Sequence, residues 1–250
     1  MKPTVEELRR LERVHVRAWP ALETANIGGW LWRYSGGGSQ RANSISAIDF
    51  HGGDARRAIE VVEARYRVKG APARFHSFSA CSPSDLPELL EARGYRQGET
   101  TLTMVKSLGD APLRDDVEAS GSPTPDWLDV YLGAITENRR AVNTRILGSV
   151  PEPRRFFTFR DGAGAVSSAL CVAEPVAEGG FAVIECVATR QEVRRKGGAR
   201  AVLAAIEAYA TSRRIGLLGL QVSETNEPAI ALYASLGFVR VDRNQFWLRD

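Results

Sequence analysis

The chain has 250 residues, 44% of them apolar and 25% charged, with 33 basic against 30 acidic side chains and a net charge of +3. That composition can fill one large core or two of ~125 residues, and its mild basic excess falls short of the charged stripe of a nucleic-acid binder. No run approaches the roughly 18 apolar residues of a membrane span, and three widely spaced cysteines, Cys81, Cys171 and Cys186, read as reduced, packed thiols rather than a disulfide framework.

The opening MKPTVEELRRLERVHVRAWP is charged and lacks the apolar core of a signal peptide, which leads us to expect a cytoplasmic protein. Its periodicity predicts a helix over Val5 to Trp19. A strand over Trp30 to Tyr34, a turn at Gly36 to Gly38 and a strand over Asn43 to Phe50 follow. The stretch Gly28 to Ser44 reads as a hairpin with Trp30, Trp32 and Tyr34 on a core or interdomain face. Next come a helix (Asp54 to Lys69), a strand (Arg74 to Ala80), a helix (Leu86 to Arg93) and a strand (Thr100 to Lys106). Residues 109–125, GDAPLRDDVEASGSPTP, lose all periodicity and read as a linker between domains at 1–108 and 126–250.

Beyond it the pattern predicts a helix (Asp126 to Asn138), a second short helix to Leu147, and strands over Arg155 to Arg160, Val166 to Glu174 and Phe181 to Ala188. A helix (Gly198 to Arg213), a strand (Leu217 to Ser223), a helix (Ala229 to Ser235) and strands over Phe238 to Leu248 complete the chain. The histidines His15, His51 and His76 have no metal-ligand spacing, so no metal site is expected.

A shift of 143 positions lays Ala58 on Ala201, Tyr66 on Tyr209, Leu89 on Leu232 and Gly94-Tyr95 on Gly237-Phe238 without a gap. The order of elements recurs with it, which reads as a tandem duplication. In each half, hairpin strands followed by strand, helix, strand predict a mixed, mostly antiparallel sheet with helices on both faces, an α/β fold of the mixed-sheet α+β kind.

The stretch RRKGGARAVLAAIEAYA, Arg194 to Ala210, sets two glycines after three cations where a helix begins. Glycine costs a helix roughly 1 kcal/mol relative to alanine. The free N–H groups of a helix start carry the positive end of its dipole, and a turn without Cβ lets a phosphate approach them. Arg194, Arg195, Lys196 and Arg200 surround this point. The stretch is neither the G-x-G-x-x-G fingerprint nor a P-loop; the pattern that fits is R-x-x-G-x-A at Arg194, Gly197 and Ala199.

With NEPAIALYASLGF, Asn226 to Phe238, this motif resembles the GCN5-related N-acetyltransferase (GNAT) superfamily, with its [QR]-x-x-G-x-[GA] cofactor turn and downstream N-x-x-A-x-x-L-Y-x-x-x-G-F. The resemblance covers Asp126 to Asp250, and reaches the first half only through element order and LLEARGY at Leu89 to Tyr95. It departs from the family at Gln191, where a proline is common, and at Thr189, usually apolar.

The resemblance implies direct acetyl transfer from acetyl-CoA to an amine. By it, Arg194, Arg195, Lys196, Gly197, Gly198, Ala199 and Arg200 would cradle the pyrophosphate, and Val187, Ala188 and Thr189 would flank the cofactor on a splayed strand. Asn226 would contact the pantetheine arm, the Val187 N–H would serve the oxyanion, and Tyr233 would protonate the departing thiolate. Glu185, an acid within an apolar strand, is the candidate base, with burial expected to raise its pKa toward neutrality; a water chain is the substitute.

The first half carries HGGDARR, His51 to Arg57, where Asp54 would cap the helix and repel phosphate, and Leu90 at the counterpart of Tyr233; a degenerate, non-binding domain is expected. Arg139, Arg140, Arg145, Arg154 and Arg155 raise the option of an anionic amine acceptor, against the plainer reading of solvated helix charges. The alternative function is a CoA-binding regulator or partner-binding protein without turnover.

Overall fold

The computed structural model describes residues 3–109, 114–162, 164–176 and 179–250; residues 110–113 of the expected linker lie outside the described residues. The first helix, α1 (Val5–Ala18), starts at a capping box. Thr4 accepts from the Glu7 N–H, and the Glu7 carboxylate accepts from the Thr4 N–H at 2.7 Å. After it come β1 (Glu23–Ile27) and β2 (Trp30–Tyr34), paired antiparallel about Gly28 and Gly29. The hairpin expected over Gly28 to Ser44 is a different one: there the Trp30–Tyr34 strand keeps only one antiparallel contact with the strand that follows it, Leu31 opposite Ser46, whereas the tight hairpin turns at Gly28 and Gly29. The segment after Tyr34 is instead a loop holding a 3₁₀ turn at Arg41–Asn43, and the expected strand over Asn43 to Phe50 shortens to β3 (Ile45–Ser46). Strand β1 escaped the sequence reading because ETANI, mostly exposed, has no apolar alternation.

The chain continues through α2 (Ala55–Val68), β4 (Ala73–Ser77), α3 (Leu86–Ala92) and β5 (Arg96–Ser107). The stretch expected to be linker then supplies β6 (Val117–Ser120), an edge strand on β7 (Arg154–Asp161). Between them, α4 (Pro125–Gly133), capped by Thr124, and α5 (Glu137–Ser149) replace the longer helix predicted to Asn138. The second half closes with β8 (Gly164–Ala173), β9 (Phe181–Thr189), α6 (Gly198–Ser212), β10 (Leu217–Ser223), α7 (Glu227–Ser235) and a single β11 (Val239–Arg249).

Each half is a mixed, mostly antiparallel set of strands with one parallel pair, β3 with β4 and β9 with β10. The two sets join in one 11-stranded sheet of order β1-β2-β3-β4-β11-β5-β10-β9-β8-β7-β6. The last strands are exchanged: β5 of the first half lies between β10 and β11, and β11 of the second half between β4 and β5. The 143-residue correspondence holds through α2 and α6, β4 and β10, α3 and α7, β5 and β11.

Apolar packing follows the halves in the main, with the exchanged strands crossing over: Leu102 and Met104 of β5 lie in the second core and Trp247 of β11 in the first. Trp30, Trp32, Tyr66, Phe75, Leu86 and Leu90 build the first core, so the tryptophans of the hairpin are core residues. Val202, Ile206 and Tyr233 pack with Phe157 and Cys171 in the second. Helix α1 crosses too: its Leu11, Val14 and Ala18 pack with Trp127, Leu170 and Val183 of the second half. Burying one of these side chains contributes ~1.5–3 kcal/mol, so α1 ties the halves together. No described helix is long and apolar enough to cross a membrane.

Candidate active site

Parallel pairing of β9 with β10 runs from Phe181 opposite Leu217 to Ile184 opposite Leu220 and then stops, although both strands continue. The cause is a bulge in β9. Ser168 pairs with Ala188 and Leu170 with Glu185, so Cys186 and Val187 together face Ala169, and Cys186 takes φ 56°. A bulge bends its strand away from a neighbour, and the wedge that opens is a cavity of about 270 Å³. Val187, Glu185, Cys186, Asn226 and Tyr233 line it, brought from β9, from the start of α7 and from its second turn.

Tyr233 is 7% exposed, and among the described residues its hydroxyl has no hydrogen-bond partner. Burial, with the nearby Glu185 charge, pushes its pKa up to about 12, so the phenol keeps its proton at neutral pH. Asn226 caps α7, accepting from the Ala229 N–H at 3.3 Å, while also lining the cavity. Beyond Ile184, β9 forms no ladder with β10, which leaves that side of the Val187 backbone open to the wedge. Ala188 and Thr189 continue this strand, Ala188 paired with Ser168 and Thr189 with Ser167.

At the next turn the sequence folds as its glycines demand. Gly197 has φ 89° and a Cβ there would meet nothing, so its conformation, not its size, calls for glycine. Gly198 is buried at the first position of α6, and a Cβ there would collide with Ser167 Oγ on β8. The second glycine thus serves the approach of α6 to the sheet, whereas the sequence suggested room for phosphate alone. Arg194, Arg195, Lys196 and Arg200 are exposed around this helix start, and Ala199 is half-buried. Arg200 donates to Ser235 Oγ at 2.8 Å, joining the starts of α6 and the end of α7. The open side of Gly197 and the free helix terminus suit an anionic group.

The largest correction concerns Glu185. Its carboxylate accepts two hydrogen bonds from Arg41, at 2.7 and 2.5 Å, and lies 3.4 Å from His15 Nδ1. Burial alone would raise its pKa, but the Arg41 charge and hydrogen bonds, with those of His15, outweigh that and bring it down to about 2. A carboxylate held there accepts a proton poorly at neutral pH. The sequence reading weighed burial and had no sight of a partner 144 positions away.

Behind this pair runs a polar layer that sequence reasoning missed. Glu12, 5% exposed on α1, accepts from Gln221 Nε2 at 2.8 Å and lies 3.3 Å from His76 Nδ1, and Arg41 reaches Gln221 Oε1 at 3.5 Å. Asn244 accepts from Thr103 Oγ1 at 2.7 Å. Charged residues at helical spacing with the apolar face of α1, Glu12 and His15 beside Leu11 and Val14, were the available signal. The first half also reaches the cavity wall directly through Trp19, Ser39 and Arg41, with Trp19 Nε1 donating to Ser39 Oγ at 2.8 Å.

The first half differs at the matching positions. Asp54 caps α2 by accepting from the Arg56 N–H at 2.9 Å, Leu90 is buried, and the Ser82 N–H bonds Ala47 O at 2.9 Å across the ends of β3 and β4. Of the five arginines considered for the acceptor, Arg139 alone lines the cavity; Arg140 donates to Leu132 O, and Arg154 to Gly121 O. Cys81 and Cys171 are buried free thiols and Cys186 is partly exposed. Among the described residues no group of three or more His, Cys, Asp or Glu could hold a metal ion.

Comparison with known proteins identifies the family. A family model described as "Probable histone acetyltransferase Rv0428c C-terminal" matches residues 5–247. The "Uncharacterized N-acetyltransferase YobR" of Bacillus subtilis (strain 168) is 24% identical over 254 residues, 98% of this chain and 100% of that protein. Among solved structures, a GCN5-related N-acetyltransferase from Kribbella flavida matches with a TM-score of 0.69 at 14% identity, over 100% of this chain and 96% of the other. A tandem GNAT protein from the clavulanic acid biosynthesis pathway matches with a TM-score of 0.60 at 17% identity, over 82% and 74% of the two chains. The chain therefore belongs to the Rv0428c-type acetyltransferase family, within the GCN5-related N-acetyltransferase superfamily.

Proposed function

We propose that this chain is an acetyl-CoA-dependent N-acetyltransferase with one active site, in the wedge between β9 and β10. The observation that carries the reading is the convergence of Val187, Asn226 and Tyr233 on one cavity where strand pairing ends. Bound acetyl-CoA supplies the acetyl group and a thiol leaving group. The residues of the chain do the rest.

The α6 N-terminus, with Gly197, Gly198, Arg194, Arg195, Lys196 and Arg200 about it, binds the pyrophosphate. The Val187 N–H donates to the carbonyl oxygen as negative charge develops there, and a donor fixed before the reaction costs no reorganisation. The amine nitrogen forms its bond to the acetyl carbon while the carbon–sulfur bond breaks, and Tyr233 gives its proton to the sulfur. The proton lost by the amine passes into water, which returns one to the Tyr233 phenolate, because Glu185 stays ionised and engaged with Arg41. Glu185 is thus a positioning residue for the bulge, holding β9 in its open form.

Calorimetric titration with acetyl-CoA tests this. One site per chain is expected, abolished in Gly197→Trp, whose side chain would fill the open side of the turn and whose fold is checked by circular dichroism. Tyr233→Phe is expected to retain that affinity and to lose ~10²-fold or more in kcat on any amine that is acetylated. Two sites would remove the reading of a non-binding first half, an unaltered rate in Tyr233→Phe would remove the acid, and binding without turnover across amines would favour a CoA-binding regulator.

A further inference from the structure

The wedge does not end at the reacting groups. Ser39, Arg41, Arg139 and Gln221 line it and also line a second cleft of about 690 Å³, so the two spaces share a wall. The cleft is formed between the halves, from the loop after β2, the N-terminal ends of β4 and β5, and Phe246 of β11. An amine in it would face the transfer site across the shared wall.

Its charges are unevenly matched. Arg41 is neutralised by Glu185. Arg74 and Arg139 are not: among the described residues neither has a carboxylate partner. Arg74 donates from Nη1 to Asn43 O at 3.2 Å, and its Nε is buried with no partner at all. Arg139 donates from Nε to Gly38 O. The one carboxylate lining the cleft is Glu99, which is exposed, where solvent screens it, and it takes a hydrogen bond from Gln40 at 3.0 Å. A part-buried guanidinium with unused donors is the group best shaped for a carboxylate or phosphate.

We propose that this cleft binds the acceptor, and that the acceptor is an amine that also carries a carboxylate or a phosphate, its anionic oxygens held by Arg74 and drawn in by Arg139. The acceptor role rests on the acetyl-transfer reading; the anion site stands apart from it. A lysine-rich peptide, by contrast, meets like charge.

The test compares matched amines on the full chain by calorimetry: β-alanine against β-alaninamide, phosphoethanolamine against ethanolamine, and a lysine-rich peptide. At least one anionic member is expected to bind ~10-fold or more tightly than its neutral partner, the gain of one charge-assisted contact, and the pair that separates further tells carboxylate from phosphate. Arg74→Gln is expected to remove the preference and Arg74→Lys to restore most of it. Equal binding within both pairs, no binding of either anionic member, tightest binding of the peptide, or a preference that survives Arg74→Gln would overturn the proposal. Acetyl-CoA titrated in parallel keeps the two readings apart: an anion preference without acetyl-CoA binding would sink the transferase and leave the site.

Discussion

Glu185 shows how one distant partner reverses what burial alone predicts. A carboxylate 6% exposed in an apolar strand ought to be hard to ionise, yet Arg41 makes the ionised form the stable one. Because the folded pKa is depressed to about 2, the pair contributes stability that is fully present above the ordinary carboxylate value and is lost as pH falls through the folded one. Arg41→Gln should cost roughly 3–5 kcal/mol at neutral pH, since it strands a buried charge. In that variant burial acts with only His15 to oppose it, so the deficit should shrink as pH falls below about 5 and the carboxylate takes up a proton. Urea melts of both proteins from neutral pH to about 3 would check this, and a deficit independent of pH would count against the ion pair as its source.

At the scale of the element, the start of α6 assigns different work to two adjacent glycines. Gly197→Ala forces a Cβ onto a left-handed residue and should cost ~1–2 kcal/mol with the surrounding space unchanged. Gly198→Ala instead drives α6 off β8 and should cost ~1–3 kcal/mol as overpacking, with weaker acetyl-CoA binding because the helix terminus moves. Trimming the obstacle separates the two. Ser167→Ala should recover part of the loss in Gly198→Ala and none of that in Gly197→Ala, as thermal melts and acetyl-CoA titration would register. Additive effects in the Ser167→Ala, Gly198→Ala pair would show that the contact is not what fixes the helix.

Over the whole molecule, the exchange of β5 and β11 removes any clean seam. Each of these strands has both neighbours in the other half, and α1 packs its apolar face on Trp127, Leu170 and Val183 of the second half. Separate halves would each expose unpaired strand edges. Unfolding is therefore expected as one cooperative transition, with calorimetric and van't Hoff enthalpies in agreement. Two resolved transitions, or a stable monomeric fragment 114–250, would show that the halves fold independently. The same exchange explains why the site is composite: it sets the loop after β2 and Arg41 against β9 and β10.

Local sequence determined the parts of this protein whose causes are local. The glycine turn, the Asn226 cap, the position of Tyr233 and the repeat through α2 and α6 all depend on spacing within one or two elements, so they were legible from residue order. Strands β1 and β6 were not, since exposed edge strands need little apolar alternation. Tertiary structure alone decided the strand exchange, the reach of Arg41 to Glu185, the hydrogen bond from Ser82 to Ala47, and the two arginines of the cleft that have no carboxylate partner among the described residues. Each depends on which groups meet across more than thirty positions of chain. Charge, burial and unused hydrogen bonds are properties of that meeting, and no single segment carries them.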